Sequence, residues 1–171
     1  DELMKQNPDK FNAEGARKLL KEAGWKDTNG DGFVDKDGKN LELDCYYSSG
    51  LAEFPLLAEA ACSDARNAGI KINLKNVDCN ALYRIKSAGT YDMLLSSELT
   101  LAAGDPQLFM DNAWRTGRQG DVAENTAGYS NPEYNKLSAR LDSEFDAARR
   151  RETVIKMEKI LMEDCGAIVC G

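Results

Sequence analysis

The stretch Ile70-Lys-Ile-Asn-Leu-Lys, running on to Val77, alternates apolar and polar side chains and lies between two runs of helical pattern. Residues 52–68 carry the first run, with Pro55 tolerable only near its first turn and Gly69 as its terminator. Cys79–Ala88 carries the second, with Asp78 as cap and Gly89 as stop. A period of two marks a strand with one wet face. A strand set between helices reaches its neighbours through crossovers, so the chain reads as an α/β domain whose mixed sheet is flanked by helices.

The remaining segments extend that order. Asn12 suits an N-cap, Ala16, Leu19, Leu20 and Ala23 form one apolar stripe, and Gly24 suits the left-handed position that ends a helix. Leu41–Tyr47 reads as a strand leaving into Ser48-Ser49-Gly50, and Tyr91–Ser96 as an apolar central strand. Ser97–Tyr129 is the least regular part. Asn131-Pro132-Glu133 opens a helix over 132–145, a second follows over 147–164, and Ala167–Cys170 reads as a last short strand. With 171 residues and no long linker, the chain fits one domain.

Charge and residue usage exclude several functions. The 22 Lys and Arg against 29 Asp and Glu leave a net charge of −7, so nucleic acid is not an expected partner. The absence of histidine removes Ser-His-Asp and Cys-His nucleophiles and imidazole zinc sites. No apolar run reaches the about 18 residues of a membrane span. Cys45, Cys62, Cys79, Cys165 and Cys170 form no Cys-x-x-Cys and read first as small core residues, with disulfides open in an oxidising compartment. Tyr129, Tyr134, Phe145 and Ile155 are spaced for packing. Asp142/Glu144, Glu163/Asp164 and the run Arg149-Arg150-Arg151 read as solvated helix surface.

Two constellations remain. Asp27-Thr-Asn29-Gly-Asp31-Gly32-Phe33-Val-Asp35 places oxygen ligands at the first, third and fifth positions of an EF-hand-type loop, a glycine at the sixth and the Phe33 carbonyl at the seventh. Gly38 stands where the bidentate glutamate belongs, so Asp35 or Asp37 would complete the shell of a structural Ca2+. The same residues also form an Asx-rich turn unaided. Ser48, Ser49, Glu98, Thr100 and Asp105 lie in loops that leave the carboxyl ends of expected strands, where open α/β sheets bind ligands.

Taken in order, several segments resemble one family. They are Ala16-Arg-Lys-Leu-Leu-Lys-Glu-Ala-Gly-Trp25 with Asp27–Asp35, Tyr46-Tyr-Ser-Ser-Gly50, Ala68-Gly-Ile-Lys-Ile72, Gly89-Thr-Tyr-Asp-Met-Leu-Leu95, Gly104-Asp-Pro106 and Gly128-Tyr-Ser-Asn-Pro-Glu-Tyr134. The set is similar to the C-terminal lobe of family 5 extracellular solute-binding proteins, the dipeptide-, oligopeptide- and nickel-binding components of ABC importers. The resemblance implies that residues 1–171 are one lobe of a two-lobed, type II periplasmic-binding-protein-like fold. It further implies an N-terminal lobe elsewhere in the protein, a membrane permease as partner, a peptide or metal-chelate ligand, and no catalysis. The place of action would be extracytoplasmic, with a lipid anchor in the full-length protein. Peptide-binding relatives carry a Trp and an amine-anchoring Asp in the loop after the Tyr-Asp-Met strand. Here that loop reads Glu98-Leu-Thr100-Leu-Ala-Ala-Gly104, which leaves Glu98 as the stand-in and moves weight from dipeptides to other peptides or a chelate. A calcium-stabilised protein-interaction module is the alternative.

Overall fold

The alternating segment forms strand β4 (Lys71–Asn76) of a computed structural model that describes residues 12–97, 104–116 and 125–166. The chain divides into two units, one running to Tyr83 with Tyr91–Leu95, the other comprising Arg84–Thr90 and the chain from Ser96. In chain order the first unit holds α1 (Ala13–Glu22), β1 (Asp35–Lys36), β2 (Lys39–Asn40), β3 (Glu42–Tyr47), α2 (Phe54–Ala68), β4, the start of α3 (Cys79–Ala88), and β5 (Met93–Leu94). Its sheet has the order β4-β3-β5 with both pairings parallel, and β1 and β2 form a separate antiparallel hairpin.

The side-chain period explains which face is covered. Asn73 donates to Glu42 and Asp44 at 2.8 and 3.0 Å, while Lys71 pairs with Glu42 at 3.1 Å and Lys75 with Asp44 at 3.6 Å. These residues share one face and form a polar ladder that water can reach. The intervening Leu43, Cys45, Ile72 and Leu74 point to the other face, and α2 packs on β3 and β4. Gly69 ends α2 at φ 90°, a backbone angle that glycine adopts without penalty, and its carbonyl takes the Val34 N–H at 2.8 Å.

In the second unit, α4 (Gln107–Trp114), α5 (Pro132–Leu141) and α6 (Ala147–Glu163) enclose Met110, Tyr134, Leu137, Leu141, Met157 and Leu161. Asn131 caps α5 by accepting from the N–H groups of Glu133 and Tyr134, and Asp146 caps α6 by accepting from Arg149.

Several expectations are corrected here. The irregular stretch contains α4, which follows Asp105-Pro106; Asp105 Oδ1 accepts the Gln107 N–H at 2.8 Å. The turn-rich segment contains the β1–β2 hairpin, and β5 is two residues long rather than six. Helix α5 stops at Leu141, which leaves Phe145 90% exposed on the α5–α6 connection, and Ile155 is also exposed. Cys45 is buried in the core, whereas Cys79 and Cys165 are exposed and Cys62 is half-buried. The final strand and Cys170 lie outside the described residues. No described helix is long and apolar enough to cross a membrane.

Candidate functional site

Strands β3 and β4 end together, with Tyr47 opposite Asn76 and the Val77 N–H donating to the Tyr47 carbonyl at 3.0 Å. The next rung of this ladder is made by a side chain. The Ser49 N–H donates to Asn76 Oδ1 at 3.2 Å, and Asn76 Nδ2 donates to Ser49 Oγ at 3.4 Å. The two serines expected to bind ligand therefore differ. Ser48 is buried, its Oγ accepts the Gly50 N–H at 3.3 Å and lies 3.2 Å from Cys79 Sγ, so its hydroxyl serves the loop. Ser49 is exposed at the carboxyl edge of the sheet.

The Cys79 sulfur closes the loop from the other side. A Cβ added at Gly50 would come within 2.8 Å of it, so a larger residue there would have to displace the thiol. Asp78 Oδ1 accepts the Ala81 N–H at 2.9 Å and caps α3, which begins at this edge. Asn76 and Cys79 escaped the sequence reading because their value depends on the β3–β4 register, and register is set by pairing rather than by either strand alone. The edge thus presents hydroxyl, amide and thiol groups rather than a cluster of charge.

Asp105, the third expected binding residue that the structure describes, is spent on Arg150. The guanidinium donates twice to Asp105 Oδ2, at 3.0 and 2.7 Å, then to Gln107 Oε1 at 2.8 Å and to the Leu141 and Glu144 carbonyls at 2.7 Å each. Partial burial pushes the Asp105 carboxyl up, but the Gln107 N–H and the Arg150 guanidinium outweigh it and hold the group below its ordinary value. Both residues line a cavity of about 260 Å³ with Pro106, Ala147, Arg151 and Val154, yet their charges face each other. The middle arginine of the triple run is accordingly an internal tie, not a solvated face. Asp142 is exposed, as expected of helix surface, and it also accepts from Gln107 at 2.8 Å and from Arg115 at 3.1 Å. Asp164 likewise accepts from the Tyr129 hydroxyl and from Asn131, each at 2.7 Å. Asp111, missed by sequence reasoning, is buried and accepts from Ser138, Gln107 and Arg115. Glu98 and Thr100 lie outside the described residues.

The aspartate loop closes on itself. Asp27 accepts the Gly30 and Gly32 N–H groups at 2.7 and 3.0 Å, Asn29 Oδ1 accepts that of Asp31 at 2.9 Å, and Asp31 accepts from Phe33 at 2.9 Å and Asn40 at 2.8 Å. Asp35 is buried in β1, and its two oxygens take the Thr28 N–H and hydroxyl at 2.7 Å each. Among the described residues no three acid or cysteine side chains converge as a metal cage. The oxygens expected to serve a Ca2+ shell thus accept N–H groups of their own loop.

With this geometry in place, comparison with known proteins is informative. A sequence model of a family described as bacterial extracellular solute-binding proteins, family 5 Middle, matches residues 1–121 of the 171. The oligopeptide-binding protein AppA of Bacillus subtilis is 26% identical over 157 residues, covering 90% of this chain and 28% of the relative. The nickel-binding protein NikA of Staphylococcus aureus is 27% identical over 155 residues, covering 91% and 28%. The solved structure of AppA with a nonapeptide superposes with a TM-score of 0.76 at 25% identity, over 90% of this chain and 30% of that one. A mannohexaose-bound oligopeptide transporter component from Thermotoga maritima gives 0.78 at 25% identity, over 90% and 29%. The chain spans 28% of the length of each of the two curated relatives. The α/β architecture of this chain matches one lobe of such a binding-protein fold.

Proposed function

The chain belongs to family 5 of the bacterial extracellular solute-binding proteins, and from that premise we propose that it is part of the substrate-binding component of an ABC importer. The ligand is an oligopeptide or a nickel chelate, as the names of the relatives AppA and NikA suggest. The chain acts outside the cytoplasmic membrane, lipid-anchored in the full-length protein. It catalyses no reaction: it holds the ligand at the carboxyl edge of its sheet against a second lobe, and the closed form is read by a membrane permease. Ligand biases that closure only by its differential affinity for the closed form.

The observation that carries this reading is the carboxyl edge itself, where β3 and β4 end in register and deliver Ser49, Asn76 and Cys79 to one place. In open α/β sheets that edge is the ligand side. The test is native mass spectrometry of the full-length protein purified without added ligand. Co-purified peptide masses would support peptide capture, and a single mass removed by chelator would support a metallophore. Protein that stays empty, and that shows no closure by small-angle scattering with either class, would overturn the proposal.

A further inference from the structure

We infer that Asn76 fixes the polarity of Ser49, so that the Ser49 hydroxyl meets the ligand as a hydrogen-bond donor to an oxygen acceptor. This rests on the reading of the carboxyl edge as the capture surface. The Ser49 N–H can only donate, so the Asn76 atom 3.2 Å away is the amide oxygen, and the amide nitrogen is the atom 3.4 Å from Ser49 Oγ. That nitrogen can only donate. Ser49 Oγ is therefore the acceptor in this pair, and its own proton is directed elsewhere. Ser49 is exposed, and among the described residues its proton is given no acceptor. The neighbouring polar groups do not compete for the role: the Ser48 hydroxyl is engaged by Gly50 and Cys79, and Asp78 caps α3 through Ala81.

An outward O–H on a rigid rung selects oxygen acceptors. A peptide carbonyl and a sugar oxygen share that chemistry. Replacing Asn76 with aspartate reverses the polarity: one carboxylate oxygen still accepts the Ser49 N–H, the other now accepts the Ser49 proton, and the hydroxyl shows the ligand only lone pairs.

The experiment is calorimetric titration of the full-length protein with two probes, a mixture of peptides and an unbranched hexasaccharide; whichever binds names the source of the acceptor. Ser49→Ala should weaken binding about three- to tenfold and Asn76→Asp at least as much, because each removes one hydrogen-bond donor to the ligand. Ser49→Thr keeps the hydroxyl and should bind within about twofold of the parent. The double variant Ser49→Ala with Asn76→Asp should be no weaker than the weaker single variant, since both act through one proton. Parent-like affinity in Asn76→Asp, or losses that multiply in the double variant, would overturn the inference. If Asn76→Asp lowers the melting temperature enough to unfold the chain, Ser49→Ala against Ser49→Thr decides alone, and equal affinities overturn it. A parent protein that binds a probe while Ser49→Ala matches it defeats this inference only. A parent that binds neither probe overturns this inference, and the capture reading falls with it only if the parent also fails to bind a nickel chelate.

Discussion

Arg150 donates to Asp105 and Gln107 on one side and to the Leu141 and Glu144 carbonyls on the other, so one guanidinium on α6 joins the start of α4 to the end of α5. Arg150→Ala would leave two carbonyls and a carboxylate without their donor. The expected loss is about 2–3 kcal/mol in urea unfolding followed on the second unit. Arg150→Lys should recover less than half of it, because an ammonium lacks the planar fork that reaches four acceptors at once. Parent-like stability in Arg150→Ala would show that water replaces the guanidinium without cost. Asp164 sets a pH dependence. The Tyr129 hydroxyl first, and Asn131 second, hold its carboxyl below the ordinary 3.8. A carboxyl whose folded value lies below its unfolded value contributes stability above the unfolded value, and that contribution is lost as pH falls through the folded one. Asp31, Glu42 and Asp105 are shifted the same way, whereas burial raises Glu158, whose stabilising contribution is lost as pH rises instead. Melting temperature should therefore fall steadily as pH drops below about 4, and Asp164→Asn should be less stable at neutral pH with a shallower acid slope. An unchanged slope in that variant would assign the acid limb to the other carboxylates.

The elements that the sequence announced are those whose signals are local. Strand β4 follows from its alternation, α5 from Asn131-Pro132, and the end of α2 from Gly69, whose left-handed φ of 90° excludes most other residues. Elements too short to show a period were missed: β1 and β2 are two residues each and hold by pairing with each other in a tight hairpin and by the Lys26–Asp35 bridge. The site divides along the same line. Ser48 and Ser49 were placed correctly at a strand exit, but which of them faces solvent was set by Asn76 and Cys79, residues 27 and 31 positions away. The Asp27–Asp35 loop matches a calcium pattern by spacing, yet spacing does not say whether the oxygens converge or turn back on the loop. Here they turn back, onto the N–H groups of Gly30, Asp31, Gly32, Phe33 and Thr28. The melting temperature is accordingly expected to be the same in millimolar calcium and in chelator. A rise that grows with the logarithm of calcium concentration would instead show that the metal binds the folded loop, since a ligand stabilises by mass action.

At the scale of the molecule, the two units have separate apolar interiors. Val34, Cys45, Phe54, Ala58 and Ala68 are buried in the first, and Met110, Tyr134, Leu137, Leu141, Met157 and Leu161 in the second. Their hydrogen-bonding logic also differs. The first is a parallel sheet whose strands are far apart in sequence, so its pairing must overcome loop-closure entropy; the second is three helices with local ladders and side-chain caps. Parts built this way need not open together, because protection from exchange follows cooperative units rather than the whole chain. Met157 is the sharpest probe of the difference. It is fully buried at 0% exposure among Tyr134, Leu137 and Leu161, so Met157→Ala removes an apolar group that the helices cannot replace. The expected loss is about 2–4 kcal/mol. In native-state hydrogen exchange, the amides of α5 and α6 should then exchange faster by the corresponding factor of about 30 to 1,000. Amides of β3 and β4 should keep their parent rates. Equal acceleration in both sets would mean that the chain opens as one cooperative body, so that a defect in the helical unit reaches the carboxyl edge where Ser49 and Asn76 meet.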